Sequence, residues 1–261
     1  MASLPISDSG PLALPRKSGS THTVKPAMTR HGLVQNAATT AQYLLLTGLF
    51  CLPLTLKAQT LGNQGRIDFN LHLQSVNSNW RYDNARRRTE ISRAGFGWSE
   101  TLSPGLSGGF MLGYLDLSQT DNPLDTAKLT SGYYGGLQVE TRLIENRYLR
   151  LGLNLSILYN DSQHQASNLS VNNIWIQTEE KLLARIPLSE QLGLRLALND
   201  YQLRGEQRSR GSATNVSNFR QDQSIGYSFG FDVLVDPGAS VGFDWSGGSR
   251  KGGRLYFRRL F

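Results

Sequence analysis

Cysteine is nearly absent from this sequence, which contains Cys51 alone, so an internal disulfide is excluded. Charged residues make up only 18% of the chain, and no zinc-finger, RNA-binding or glycine-rich phosphate motif occurs in it. We therefore expect no nucleic-acid partner, no metal ion and no cofactor. Long apolar runs are also missing, apart from one near the N-terminus, so no bundle of membrane-spanning helices is indicated.

The single long apolar run covers residues 43–56 (YLLLTGLFCLPLTL) and has the features of a secretory signal peptide. Arg30 and His31 precede the run, and Ala58 supplies a small residue after it. The alternative, a membrane anchor, is disfavoured because Pro53 interrupts the run and the span falls short of the ~20 residues that a helix needs. We predict a signal peptide over 28–58 that is cleaved after Ala58.

Residues 1–27 are rich in Pro and Ser and show no periodicity, which predicts a disordered extension. Met28 opens a signal peptide of ordinary length, so our hypothesis is that Met28 is the true start and that 1–27 is not translated. Residues 1–58 hold five basic and one acidic side chains, so the remaining chain carries +3 rather than +7. This modest charge does not indicate nucleic-acid binding.

A strict alternation of apolar and polar residues dominates the rest of the chain. In residues 148–158 (YLRLGLNLSIL), every second residue is Leu or Ile. At 100° per residue a helix would scatter these side chains, whereas a strand places them on one face. The same period recurs over 67–74, 129–143, 192–199, 225–235, 239–246 and 253–261, and less regularly over 89–101, 106–119 and 173–187. The sequence therefore predicts an all-β fold.

The connections between these segments alternate in length. Short turns lie at 103–105, 145–147, 189–190 and 236–238, and long polar loops lie near 77–88, 120–128, 160–172 and 201–218. This pattern is typical of an antiparallel up-and-down meander with all its tight turns at one end. We count ten strands, with eight as the alternative.

Three architectures share this period: a soluble sandwich, a lipocalin-like barrel around a ligand, and a membrane barrel with its apolar face on lipid. The segment lengths, and a polar face that carries glycine and charges of both signs, favour a closed transmembrane β-barrel over 59–261. An aromatic girdle is predicted at the strand ends, formed by Trp98, Tyr133, Trp175, Tyr227, Phe243 and Trp245.

The C-terminus reads GGRLYFRRLF, with Leu255, Phe257 and Phe261 in one register and Phe at the last position. On this ending and on its architecture, the chain resembles small Gram-negative outer-membrane β-barrel proteins. The resemblance implies that Leu255, Phe257 and Phe261 form the assembly signal. It also implies a place in the bacterial outer membrane, with the export and barrel-assembly machinery, membrane lipid and lipopolysaccharide as partners. Arg259, third from the end, departs from the pattern and fits a rim position, where its side chain can snorkel.

Two sets of residues are candidates for a site. Asp161, Ser162 and His164 bring the groups of a hydrolase together in a predicted loop. Arginines make two further loops basic and predict contact with lipopolysaccharide or another anion, because Arg binds phosphate with two hydrogen bonds: Arg86, Arg87, Arg88, Arg204, Arg208 and Arg210.

We expect a non-catalytic integral outer-membrane barrel that serves surface contact, envelope support or the passage of small solutes through a narrow channel. Side chains nearly fill the interior of an eight- to ten-stranded barrel, so a wide pore is excluded. The alternative is an outer-membrane hydrolase with its site at the extracellular rim. The sequence does not indicate an oligomeric state.

Overall fold

A computed structural model describes residues 66–261, apart from 84, 125–126, 167 and 212–213. The predictions of a disordered extension over 1–27 and a signal peptide over 28–58 lie outside the described residues, as do 59–65 of the barrel. Within the described part, no helix is long and apolar enough to cross a bilayer.

The described residues form one antiparallel sheet of eleven strands. They are β1 (Ile67–Tyr82), β2 (Arg86–Ser103), β3 (Leu106–Gln119), β4 (Leu129–Glu145), β5 (Arg150–Ala166), β6 (Leu169–Pro187), β7 (Leu192–Gly211), β8 (Asn215–Gln221), β9 (Ile225–Asp236), β10 (Ala239–Gly248) and β11 (Lys251–Leu260). Ten of them close into a ring, because β11 pairs with β1 and β7 pairs with β9. The prediction of a ten-stranded up-and-down barrel is confirmed.

The eleventh strand, β8, changes the strand number along the barrel. It pairs with the far half of β7 on one side and with the end of β1 on the other. On the side of the short turns, β9, β10 and β11 fill the wall between β7 and β1, which gives ten strands. Farther along the barrel, β8 alone fills this gap, and the wall consists of the eight strands β1 to β8. The predicted long loops near 77–88, 160–172 and 201–218 were wrong, because strands occupy most of each range. β1 ends at Tyr82 and β2 begins at Arg86; β5 ends at Ala166 and β6 begins at Leu169; β7 continues to Gly211 and β8 begins at Asn215.

The outward face near the short turns is apolar on every strand of the ring. Large hydrophobic side chains stay exposed there, including Leu71, Leu73, Phe110, Leu112, Leu137, Ile157, Leu182, Leu196, Leu198, Phe229, Phe231, Val233, Phe243 and Leu255. A closed wall with such a face is stable only against hydrocarbon. The protein is therefore a transmembrane β-barrel, and barrels of this type belong to the bacterial outer membrane, with short turns on the periplasmic side.

Beyond the apolar belt, the inward face of the wall changes from polar to apolar, and the outward face changes from apolar to polar. On the inward face of β1, the polar series Asp68, Asn70 and His72 gives way to Val76 and Trp80, while the outward face becomes polar. The same change occurs on the other long strands. The extracellular half is thus built like a water-soluble barrel, with an apolar core that holds Val76, Trp80, Tyr82, Ile91, Leu115, Leu117, Tyr134, Leu158, Trp175, Tyr201, Leu203 and Phe219.

Three aromatic rings meet at the centre of this core. Trp80 stacks on Phe219 at a centroid distance of 4.6 Å, and Trp175 packs its edge against Trp80 at 5.4 Å. Trp80 and Trp175 come from β1 and β6, which β7 and β8 separate in the eight-stranded ring, and they are 0% and 1% exposed. Side chains therefore fill this cross-section and close the barrel at its extracellular end.

Five of the six residues predicted to form an aromatic girdle face outward, but Phe243 lies in the middle of β10 rather than at a strand end. Trp98, Tyr133, Tyr227, Phe243 and Trp245 all lie on the outward face. Trp175 was placed wrongly: it shares the inward face of β6 with Gln177 and Glu179 and belongs to the core.

Glycine at two inward positions makes room for a tyrosine of the neighbouring strand. A Cβ at Gly242 would overlap the ring of Tyr256, and one at Gly113 would overlap the ring of Tyr134. At these positions glycine is required by packing, whereas a Cβ at Gly193 would make only ordinary contacts.

Replacing Trp175 with alanine tests the apolar core. We expect Trp175→Ala to lower the free energy of unfolding by about 3–5 kcal/mol, because it leaves a cavity among fully buried rings. Trp245→Ala is the matched control: Trp245 is 55% exposed on the outward face and should cost far less. The readout is the temperature at which the folded band is lost on unboiled SDS gels. Equal losses in the two variants would contradict the buried position of Trp175.

Candidate functional site

The interior of the membrane-spanning half holds a polar cavity of about 150 Å³. Its lining carries more cations than acids. The cations are Arg93, Lys181, Arg185, Arg195, Arg250, Arg254 and Arg258, and the acids are Asp68, Glu140, Glu179, Asp232 and Asp244. The apolar core lies between this cavity and the extracellular side. The cavity is therefore not a continuous path across the membrane.

Ion pairs connect strands across the cavity. Arg195 lies 3.4 Å from Asp244, and the Nε of Arg258 donates a hydrogen bond to Asp68 over 2.7 Å. Glu179 pairs with Arg250 and lies 3.2 Å from Lys181. Charges in a low-dielectric interior have to be paired in this way, which gives the network a structural role.

His72 is the described histidine inside the membrane-spanning half. Its Nε2 is hydrogen-bonded to the Tyr134 hydroxyl over 2.7 Å, and its Nδ1 is 3.3 Å from Asn70. Both neighbours are neutral, and neither hydrogen-bond partner is the serine or cysteine nucleophile that a catalytic histidine would need. The residue therefore fits a hydrogen-bonded lumen histidine.

The hydrolase candidates do not converge on one site. Asp161, Ser162 and His164 all lie in β5 rather than in a loop, so Asp161 is on the opposite face of the strand from Ser162. The Ser162 hydroxyl is 0% exposed and pairs with Thr130 over 2.8 Å, whereas His164 is exposed. A substrate arriving from solvent would not reach Ser162 in this arrangement. The catalytic role of these residues stays a prediction.

The arginine candidates fall into two groups. Arg86, Arg88, Arg204, Arg208 and Arg210 are exposed on the outward face of the extracellular half, whereas Arg87 turns inward and is 9% exposed. The registers add Arg81 and Arg220 to the outward group. Across four neighbouring strands, Arg86 pairs with Arg81, Arg81 with Arg220, and Arg220 with Arg204. We call these four residues the arginine row.

The arginine row is only partly neutralised. Asp222 lies 2.6 Å from Arg81 and 3.4 Å from Arg86. No ion pair of Arg204 or Arg220 is found among the described residues. Like charges in directly paired positions repel each other, so the row favours any anion that lies across it.

Arg87 lies at the floor of a small cavity at the extracellular mouth. Its guanidinium lies 3.8 Å above the ring of Tyr82, and its Nη1 donates a hydrogen bond to Gln207 over 2.9 Å. Burial is the main cause that raises the pKa of the Tyr82 phenol, and the Gln119 hydrogen bond and the Arg87 charge act against it. The phenol is therefore protonated at neutral pH and offers Arg87 the face of a neutral ring.

The residues of the assumed assembly signal lie on and just after the last strand. Leu255 and Phe257 face outward on β11, and Phe261, which is 68% exposed, follows the strand. Arg259 reaches the turn after β9, where it pairs with Asp236 at 3.1 Å. This is the rim position expected for Arg259. The role of Leu255, Phe257 and Phe261 in assembly stays a prediction.

Sequence reasoning missed the Glu179–Arg250 pair and the inward orientation of Arg87. Alternation with Lys181 would have placed Glu179 inside, but Arg250 lies in the turn between β10 and β11, where no period applies. Arg87 stands in a run of three arginines whose middle member has to face the other way once the run is a strand. In the described residues, no three His, Cys, Asp or Glu side chains group as metal ligands.

Comparison with known proteins gives similarity at the level of structure. No protein-family model matches the chain, and no curated protein matches it in sequence. The translocator domain of the autotransporter NalP from Neisseria meningitidis is 11% identical, with a TM-score of 0.45 over 88% of this chain and 98% of that one. The outer membrane protease OmpT from Escherichia coli is 10% identical, with a TM-score of 0.40 over 75% and 93%.

A third similar structure is Ail, the attachment invasion locus protein of Yersinia pestis. It is 10% identical, with a TM-score of 0.36 over 76% of this chain and 100% of that one. At TM-scores below 0.5, these similarities carry no information about the function of this chain.

The Glu179–Arg250 pair can be tested by removing its acid. We expect Glu179→Gln to lower the free energy of unfolding by about 3–5 kcal/mol, because it leaves the buried Arg250 without its partner. Glu145→Gln is the control, since Glu145 pairs with Arg142 and Arg150 at the exposed periplasmic end and should cost about 0–1 kcal/mol. Urea unfolding of the refolded barrel in detergent measures both. A loss for Glu179→Gln no larger than for Glu145→Gln would contradict a buried pair.

Proposed function

We propose that the protein is a non-conducting outer-membrane barrel whose function is surface contact: its extracellular half holds the arginine row against the phosphate and carboxylate groups of lipopolysaccharide. The observation that carries this proposal is the register, which brings Arg86, Arg81, Arg220 and Arg204 side by side on one outward face.

The position of the row supports this ligand. β8 lies directly above the shorter strands β9, β10 and β11, since Gln221 donates a hydrogen bond to the Ser249 carbonyl over 2.9 Å. The outward tops of those strands carry Ile225, Tyr227 and Trp245, which are 68%, 54% and 55% exposed and mark the upper edge of the lipid belt. In this sector the row begins just above the hydrocarbon, where the anionic groups of the outer leaflet lie.

The chemistry of the row supports the same ligand. Guanidinium groups bind phosphate and carboxylate with two parallel hydrogen bonds and are more weakly hydrated than ammonium groups. Arg88, Arg208 and Arg210 extend the basic surface around the row. Of these three, only Arg208 has an acidic partner among the described residues, namely Glu206. The sector is thus a broad cationic surface rather than a set of isolated charges.

The filled cross-section supports the non-conducting part of the proposal. Water and ions would have to pass Trp80, Trp175 and Phe219, whose packing leaves them 0–3% exposed. This favours surface contact over the passage of small solutes.

Conductance measures the first part of the proposal. The refolded protein, inserted into planar bilayers, should give no stepwise current at either polarity, because the apolar core interrupts the polar interior. A porin inserted under the same conditions checks that incorporation and recording work. Reproducible unit steps from the wild-type protein would contradict a closed barrel.

Lipopolysaccharide binding measures the second part. We expect the fourfold variant Arg81→Gln, Arg86→Gln, Arg204→Gln, Arg220→Gln to bind purified lipopolysaccharide about tenfold or more weakly than the wild type, since each arginine near an anionic surface contributes about 1 kcal/mol. Added salt should weaken wild-type binding more than variant binding. Binding is measured with the detergent-solubilised, refolded barrels.

Four arginines at the periplasmic end provide the matched control. The variant Arg142→Gln, Arg147→Gln, Arg150→Gln, Arg259→Gln removes the same charge from exposed sites and should keep most of the affinity. Equal losses in the two fourfold variants would mean that net charge alone governs binding, and the proposed role of the row would be wrong.

A further inference from the structure

A second cavity, of about 150 Å³, lies at the extracellular mouth of the barrel. Its lining consists of Arg87, Pro123, Leu124, Gln207, Ser209, Asn215 and Ser217. We propose that this cavity binds one acidic sugar ring, with the carboxylate of the sugar on Arg87. The cavity is separate from the arginine row, which faces outward.

The charge of the cavity calls for an anion. Arg87 is more than nine-tenths buried, and the described residues of the lining include no carboxylate. Among the described residues, the Nε of Arg87 and the Nε2 of Gln207 have no hydrogen-bond partner. A buried guanidinium without a counter-charge is costly, and an incoming carboxylate would remove that cost.

The geometry of Arg87 holds the guanidinium ready for a ligand. The ring of Tyr82 supports one face of it, and Gln207 fixes one end. Tyr82 is itself held by a hydrogen bond of 2.7 Å from Gln119. The side chain therefore loses little additional freedom when a ligand binds.

The rest of the lining selects the kind of anion. One guanidinium matches a group with a single negative charge, such as a carboxylate, better than a phosphate monoester with nearly two. Asn215 and Ser217 offer neutral donors and acceptors that suit sugar hydroxyls. Pro123 and Leu124 form an apolar side against which the C–H face of a ring can pack. A cavity of about 150 Å³ can hold one unsubstituted six-membered ring, so part of the sugar and its hydroxyls would extend from the cavity towards solvent.

This inference shares the orientation of the barrel with the proposed function but uses different residues. Lipopolysaccharide binding depends on Arg81, Arg86, Arg204 and Arg220, whereas sugar binding depends on Arg87 and Gln207. Each can therefore fail without the other.

The test uses the refolded full barrel in detergent and ligand-observed NMR with three probes: glucuronate, glucose and inorganic phosphate. We expect glucuronate to bind saturably and at least tenfold more tightly than glucose, which has the same ring without the charge. Phosphate should compete at least tenfold less well than glucuronate.

Three variants locate the binding. Arg87→Gln should reduce glucuronate affinity tenfold or more, and Arg88→Gln, which removes the outward-facing neighbour, should leave it unchanged. Because Arg87→Gln removes a buried group, Gln207→Glu provides a second variant: its carboxylate would pair with Arg87, keep the fold and abolish glucuronate binding. Unboiled SDS gels confirm that each variant is folded.

The results of these variants distinguish binding at Arg87 from binding elsewhere. Loss of glucuronate binding in Gln207→Glu, together with retention in Arg88→Gln, supports the site. Glucuronate that binds no better than glucose, phosphate that competes equally well, or unchanged binding in folded Gln207→Glu would each overturn the proposal. Loss of lipopolysaccharide binding in the fourfold row variant, with glucuronate binding intact, would leave it standing.

Discussion

Backbone N–H and C=O groups find no hydrogen-bond partner in the hydrocarbon of a bilayer, and the rest of this structure depends on that constraint. Every strand in the membrane must pair on both edges, so the sheet has to close, and β11 returns to β1 to close it. Closure gives the wall two unlike environments. Leucine and phenylalanine lie on the lipid side, and the arginines and carboxylates lie in the interior, where ion pairs such as Arg195–Asp244 and Arg250–Glu179 connect the strands.

The same wall then leaves the membrane, and its surroundings reverse. Water replaces lipid on the outside, so the outward face becomes Ser, Asn and Arg, while the inward face becomes Trp, Leu and Ile. Continuous strands such as β1 and β7 carry both arrangements without a break. A polar interior and an apolar interior therefore follow one another along the barrel axis, with the buried core of Trp80, Trp175 and Phe219 on the extracellular side.

The period of two made much of this fold predictable. The ten-stranded ring, the short turns and the outward aromatics at five positions all follow from alternation and turn residues. Alternation does not say which face is the core, however, and above the membrane the polar outward residues of β7 looked like a loop. Trp175 and Asp161 were misjudged for the same reason, since the orientation of a side chain depends on strand boundaries that polar residues conceal. The cavity around Arg87 joins β2, β7, β8 and a loop, and no local pattern indicates such a meeting.

β1 closes the barrel by pairing with two different strands at two levels along the barrel axis. β1 pairs with β11 over most of its length, and its final residues, Trp80, Arg81 and Tyr82, pair with β8. Residues about 140 positions apart form this second junction, and residues about 190 positions apart form the lower one, so each closes a long stretch of chain. To open the wall beside β1, its pairing with β11 has to break within the membrane and its pairing with β8 has to break above it, where Trp80 would also lose its stacking on Phe219.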